Sequence, residues 1–199
     1  MERTGAQLLF ANVYINIKII SYNMSVVSTI FNNIGSYGPA LLFLNSCSLL
    51  WNKETLLFYY VVGIFLNSVL NVILKLLFKQ PRPSEDERTF KLALTHGKYI
   101  VFKDGYPHSI FGMPSGHTQT SVFSLIFIYL SGINERWLYF YSIIIIIVMS
   151  QRVAFNHHTI FQVIIGAFVG AFVGYQFFFL AKQKIKGRIT EKPDDYAPI

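Results

Sequence analysis

Long apolar segments alternate with short polar stretches along this chain, and the alternation predicts helices that cross a membrane. Residues 55–78, 137–155 and 160–181 approach or exceed the roughly 20 apolar residues that a spanning helix needs. Residues 36–51 and 115–131 are shorter but still mainly apolar. The pattern therefore predicts an all-α fold, a polytopic transmembrane bundle of five to six helices.

The two ends of the chain differ from these spans. Residues 8–33 mix apolar positions with Asn12, Asn16 and Lys18, which predicts an amphipathic segment on the membrane surface. A degraded first spanning helix is the alternative. We divide the chain into an N-terminal interfacial segment (1–35), a membrane domain (36–181, with a polar loop at 79–113) and a basic tail (182–199).

Composition supports a membrane protein and argues against a nucleic-acid partner. The chain is 53% hydrophobic and only 14% charged, whereas soluble domains carry about 25% charged residues. Its formal charge of +7 would suit nucleic acid. The basic residues, however, cluster at predicted helix ends and in the tail, which favours lipid headgroups and phosphate. The composition does not predict an oligomeric state.

Three polar stretches at the ends of apolar segments carry the candidate chemistry: Lys75–Pro83, Pro114–His117 and Arg152–His158. The first two flank one extramembrane loop, so they share a membrane face. The chain then crosses near Gly132 and returns near Arg152. Span counting therefore predicts that all three stretches lie on one side of the membrane.

The residue types in these stretches suit a phosphate group. Arg82 and Arg152 can each offer a planar fork to two oxygens, and Lys75 adds a point charge. Ser115 is suited to cap a helix, and Gly116 lets the backbone approach an anion held by the first-turn N–H groups. These five residues are the predicted phosphate-binding set.

Two histidines complete the predicted site. A neutral His158 is suited to attack phosphorus and form a phosphohistidine, while His117 protonates the leaving oxygen and later activates water. His157 is an alternative to His158. The acidic run Glu85–Glu87 is consecutive and lies on a loop, so we interpret it as solvated charge. We accordingly predict neither a metal site nor a cofactor.

These motifs resemble those of the type 2 phosphatidic acid phosphatase (PAP2) superfamily of membrane-bound histidine phosphatases. Its pattern is Lys-x6-Arg-Pro, Pro-Ser-Gly-His and Ser-Arg-x5-His-x3-Asp, and the first two motifs are complete here. In the third, Gln151 replaces the serine and Gln162 replaces the aspartate. The resemblance implies that Gln162 takes the place of the carboxylate that accepts a hydrogen bond from the nucleophilic histidine, through its own carbonyl oxygen.

The residues around these motifs resemble the dolichyl-diphosphatase branch. His158-Thr159 followed by Gln162-Val163, and Gly112-Met-Pro-Ser, are typical of that branch. The resemblance implies metal-independent hydrolysis of a polyprenyl diphosphate to the monophosphate, at the lumenal face of the endoplasmic reticulum in a eukaryote. The alternatives are a phosphatidate or diacylglycerol-pyrophosphate phosphatase, and an inactive lipid-phosphate-binding scaffold. The complete set of cations and histidines argues against the scaffold.

The basic tail predicts the orientation. Lys182, Lys184, Lys186 and Arg188 should be cytoplasmic, because cytoplasmic loops and tails are rich in Lys and Arg. The predicted site lies on the opposite membrane face, so it would face the lumen or the exterior.

Overall fold

Helices form most of the part of the chain that the computed structural model describes, which is residues 5–97, 100–103 and 106–185, with the side chains of 5–24, 101, 103 and 106–108 left out. The helices in this part are α1 (Gly5–Leu49), α2 (Glu54–Phe78), α3 (Glu87–Thr95), α4 (Gly116–Leu130), α5 (Arg136–Ala154) and α6 (Ile160–Lys184). Strands β1 (Ile100–Lys103) and β2 (Tyr106–Ser109) pair antiparallel between α3 and α4. The predicted all-α bundle is confirmed, with this small hairpin added.

Three of the five predicted spans are long and apolar enough to cross a membrane by themselves. They are α2, α5 and α6. Helix α4 has 15 residues, which gives about 22 Å at 1.5 Å per residue, less than the hydrocarbon core of about 30 Å. It packs between the longer helices, so its shortness does not prevent it from lying within the membrane.

The first helix is longer than the sequence suggested. Residues 36–51 were predicted as a separate span, but α1 runs from Gly5 to Leu49 without a break at residues 35–36. The prediction that residues 8–33 lie on the membrane surface stays a prediction, since side chains up to residue 24 fall outside the description. Most of the predicted tail, from residue 186 onward, also lies outside it.

Helix α2 buries polar side chains and exposes apolar ones, as a lipid-exposed helix does. Its Asn67 and Asn71 side chains are buried, whereas Phe65 and Val72 are 66% and 56% exposed. In water the apolar side chains would be the buried ones. This arrangement indicates hydrocarbon around the bundle, because polar groups at membrane depth face the bundle interior.

Three glycines spaced four residues apart bring α6 against the backbone of α4. A Cβ added at Gly166 would lie 2.6 Å from the carbonyl oxygen of Ser115, and one at Gly170 would collide with that of Gln119. Gly174 makes the same kind of approach one turn later. Such small residues allow close helix packing in membranes. These three glycines fix the start of α4, where His117 lies, against α6.

The predicted polar loop is folded back onto the bundle. Helix α2 ends where Lys79 takes a left-handed conformation (φ 48°) and Pro81 has no N–H to continue the helix. Pro81 then forms a β-bridge with Phe111, whose ring packs edge-on against Phe90 of α3. The segment before α4 is therefore held at the end of α2, which brings two of the three predicted motifs together.

Candidate active site

A tight turn between α5 and α6 places His158. Asn156 adopts a positive φ of 54° and turns the chain back. The backbone N–H groups of His157 and His158 then both donate to the carbonyl oxygen of Arg152, each at 3.0 Å. His158 and Arg152, predicted as nucleophile and phosphate ligand, are thus held in a fixed relation.

The contacts of the His158 ring determine its tautomer. Its Nδ1 lies 2.8 Å from the carbonyl oxygen of Gly112 and 3.3 Å from Oε1 of Gln162. A carbonyl oxygen only accepts hydrogen bonds, so Nδ1 carries the proton and Nε2 keeps its lone pair. Gly112 is the nearer acceptor, and sequence reasoning missed it. Its one sequence signal was its place in the Gly-Met-Pro-Ser stretch.

Burial keeps this ring uncharged. Loss of water around the side chain, together with the positive charges of Arg82 and Lys75, lowers the pKa of His158 to about 3. At neutral pH the ring is therefore a neutral imidazole. Its unprotonated Nε2 is the form that a nucleophile requires.

Gln162 connects three segments through its amide. Its Oε1 accepts a hydrogen bond from the backbone N–H of Thr159 at 3.2 Å, and its backbone N–H donates to the Thr159 hydroxyl at 3.2 Å. The two bonds together form a capping box on α6. Its Nε2 donates to the carbonyl oxygen of Pro81 at 2.9 Å. An aspartate would present only acceptors and a shorter side chain. Glutamine therefore fits this position better than the carboxylate of the family pattern.

Gly112 and Gln162 depend on each other sterically. A Cβ at Gly112 would lie 2.5 Å from Oε1 of Gln162. Any larger residue at position 112 would collide with the Gln162 amide and would shift the carbonyl of residue 112 that accepts the hydrogen bond from His158. The two residues that resemble the dolichyl branch thus form a single structural unit.

The predicted cations surround the two histidines. The charges of Lys75 and Arg82 act on both rings, and that of Arg152 acts on His117. Burial lowers the pKa of Arg82, and its Nε has no hydrogen-bond partner within the described part of the chain. A buried donor without an acceptor is costly. An oxygen of a bound anion would satisfy it.

The start of α4 differs in one respect from the prediction. Ser115 occupies the N-cap position, as predicted, but its side chain makes no capping hydrogen bond. Instead its N–H donates to the carbonyl oxygen of Gln162 at 3.0 Å, and its hydroxyl accepts from Thr118 at 3.2 Å. Ser115 is fully buried. It therefore supports the turn at the start of α4.

A buried amide network, also missed from the sequence, holds this turn to α2. Asn71 donates to the carbonyl oxygen of Pro114 at 3.2 Å and to Oε1 of Gln119 at 2.7 Å. Gln119 in turn donates to Oδ1 of Asn67 at 2.8 Å. Asn71 also lies 3.1 Å from the position of a Cβ on Gly116. Glycine at 116 therefore leaves room for the network.

His117 borders a cavity of about 460 Å³ between α1, α2 and α4. Ser36, Ser68, Asn71 and Val72 are among the other residues that line it. The ring of His117 also faces the carbonyl oxygen of Ser36. The cavity provides space beside the predicted acid, on the side where a leaving group would lie.

Comparison with known proteins identifies the family. A family model described as the PAP2 superfamily matches residues 56–186, which include all three motifs. The chain belongs to the PAP2 superfamily. The family predicted from the motifs is thereby confirmed, and the protein is an integral membrane lipid phosphatase of this family.

One solved structure has a similar fold. It is the crystal structure of the first transmembrane PAP2 type phosphatidylglycerolphosphate phosphatase from Bacillus subtilis. The likeness has a TM-score of 0.57 at 18% identity and covers 83% of this chain and 80% of that chain. At this identity the comparison supports the PAP2 fold alone. No curated protein matches the chain.

The low pKa of His158 predicts a loss of stability in acid. The unfolded chain binds a proton at this residue below about pH 6.5, whereas the folded protein does not do so until about pH 3. The free energy of unfolding should therefore fall as the pH drops from 6.5 towards 3. In His158→Asn, whose Nδ2 can still donate to Gly112, the unfolding temperature in detergent should fall less over this range. The exposed His96→Asn is the control, and equal slopes in all three proteins would contradict the assignment.

Proposed function

We propose that this protein hydrolyses a polyprenyl (dolichyl-type) diphosphate to the monophosphate through a phosphohistidine intermediate. The observation that carries the proposal is the contact of His158 Nδ1 with Gly112 and Gln162. It leaves Nε2 with a lone pair in a site rich in positive charge. That combination suits nucleophilic attack on a phosphorus that carries anionic oxygens.

In the first step, Nε2 of His158 attacks the terminal phosphorus. A P–N bond forms while the bond from phosphorus to the bridging oxygen breaks. His117 donates its proton to that oxygen, and the polyprenyl monophosphate leaves. The cavity beside His117 is the space in which the leaving group would lie.

In the second step, water attacks the phosphohistidine. His117, now unprotonated, takes a proton from the water, and the P–N bond breaks to release inorganic phosphate. His158 returns to its neutral form with Nδ1 still bonded to Gly112. Lys75, Arg82, Arg152 and the N–H groups at the start of α4 would hold the phosphoryl oxygens throughout.

One feature favours a diphosphate over a phosphate monoester. The residues that resemble the dolichyl branch, Gly112 and Gln162, lie together at the nucleophile. That contact supports the substrate class that the resemblance implies.

Metal independence is part of the proposal. The cationic side chains would provide the charge that a magnesium ion provides in many phosphoryl-transfer enzymes. Among the described side chains, no group of three or more His, Cys, Asp or Glu comes together as metal ligands would. Activity that persists in a chelator would support this assignment.

We expect purified protein in detergent to release phosphate from polyprenyl diphosphate faster than from phosphatidate, diacylglycerol pyrophosphate or phosphatidylglycerolphosphate. EDTA should not change the rate. His158→Asn should lower kcat by about a thousandfold or more, as the loss of a nucleophile does elsewhere, whereas the exposed His96→Asn should keep the wild-type rate.

Each contrary result has a distinct meaning. A preference for a phosphate monoester would overturn the substrate class, and loss of activity in EDTA would overturn the metal-free mechanism. Full activity in His158→Asn would move the nucleophile to another residue. No release from any substrate would favour the inactive scaffold.

We also propose that the site faces the lumen or exterior, in the endoplasmic reticulum if the cell is eukaryotic. The basic residues Lys182 and Lys184 end α6 on the side away from His158, and such residues favour the cytoplasm. A C-terminal tag in sealed microsomes of cytoplasmic-side-out orientation should then be removed by added protease. A tag protected until the vesicles are opened would show the reverse orientation.

A further inference from the structure

Gln151, which replaces the serine of the family pattern, makes specific contacts to its neighbour Arg152. The side chain is fully buried. Its Oε1 accepts from Nε of Arg152 at 2.6 Å, and its Nε2 donates to Oδ1 of Asn32 on α1 at 2.7 Å. The amide therefore connects the phosphate-binding arginine to a second helix, which a serine hydroxyl is too short to do.

Helix α1 is shaped to receive this glutamine. Gly35 lies directly against it, so that an added Cβ would collide with the Gln151 side chain. One turn away, Gly38 allows the same close approach by Val148 of α5. Close packing at both points fixes α5 against α1 at the level of Arg152.

The same region of α1 contacts the arginine a second time. Nη2 of Arg152 donates to the hydroxyl of Ser36 at 3.1 Å. Backbone atoms of Ser36 also face His117. One turn of α1 thus touches both the arginine and the predicted acid.

These contacts leave hydrogens on both terminal nitrogens of the guanidinium available to a phosphate. An arginine has five N–H donors, and Gln151 and Ser36 use one each. The other three include a donor on each terminal nitrogen, which is the pair that binds two oxygens of a phosphate side by side. The guanidinium is planar, so fixing one hydrogen on Nε and one on Nη2 restricts the plane in which that pair can lie.

We propose that Asn32, Ser36 and Gln151 are positioning residues that orient Arg152 towards the phosphoryl group. Ser36 lines the cavity beside His117, whereas Asn32 and Gln151 do not. We call the contacts of these three residues with one another and with Arg152 the relay. Asn32 and Ser36 lie before residue 56, where the family match begins, so the relay is a feature of this chain beyond the family motifs. The kinetic part of this inference rests on the proposed function, whereas its anion-binding part does not.

Binding of orthovanadate, an analogue of the transferring phosphoryl group, tests the relay in the full-length protein in detergent. Gln151→Met keeps the volume but removes both hydrogen bonds, and Asn32→Leu removes the partner of Gln151. Both should weaken orthovanadate binding by about tenfold, the effect of one lost orienting hydrogen bond. Asn32→Gln keeps a neutral amide oxygen as acceptor for Gln151 and should bind orthovanadate more tightly than Asn32→Leu. The exposed neighbour Asn33→Leu is the matched control.

The steady-state constants give a second readout. With polyprenyl diphosphate, Gln151→Met and Asn32→Leu should lower kcat/KM, and Asn32→Gln should keep more of it than Asn32→Leu. Unchanged orthovanadate affinity in both variants would overturn the proposal. So would an equal loss in Asn32→Gln and Asn32→Leu, because the acceptor for Gln151 would then have no effect on the site. Absent turnover with intact wild-type vanadate binding would refute the proposed function and still leave the relay measurable.

Discussion

The hydrogen bond from His158 Nδ1 to the carbonyl oxygen of Gly112 is the constraint on which the site depends. It decides which ring nitrogen keeps a lone pair, and burial then keeps that ring neutral. It also links the turn before α6 to the segment before α4, and Gln162 extends the link to the end of α2. Loss of such a buried bond costs about 1–3 kcal/mol, and here it would also free the nucleophile to rotate.

The surrounding positive charges oppose one another, and an anionic substrate would relieve this repulsion. Arg82 repels both Lys75 and Arg152, and its buried Nε has no acceptor in the described part of the chain. Arg152 is held by neutral partners, the amide of Gln151 and the hydroxyl of Ser36. Such partners orient the arginine without cancelling the charge that an anionic substrate needs.

The motifs and their common membrane face could be predicted, because each motif is local and the face follows from counting spans. The partners of the motifs could not. Gly112 acts through a backbone carbonyl, which any residue possesses, so its sequence carries little sign of the role. Asn32 and Gln151 are separated by 119 positions, and only the packing of α1 on α5 brings them together. The replacement of aspartate by Gln162 was visible, but its reason, a donor needed at Pro81, required the fold.

The isomer of the phosphohistidine tests the central claim most directly. Rapid quenching during turnover, followed by peptide mass spectrometry under alkaline conditions, would locate the phosphoryl group, with chromatographic standards to distinguish the two isomers. The account predicts phosphorylation of His158 at Nε2, since Nδ1 is committed to Gly112. A phosphoryl group on Nδ1, or on any residue other than His158, would contradict it.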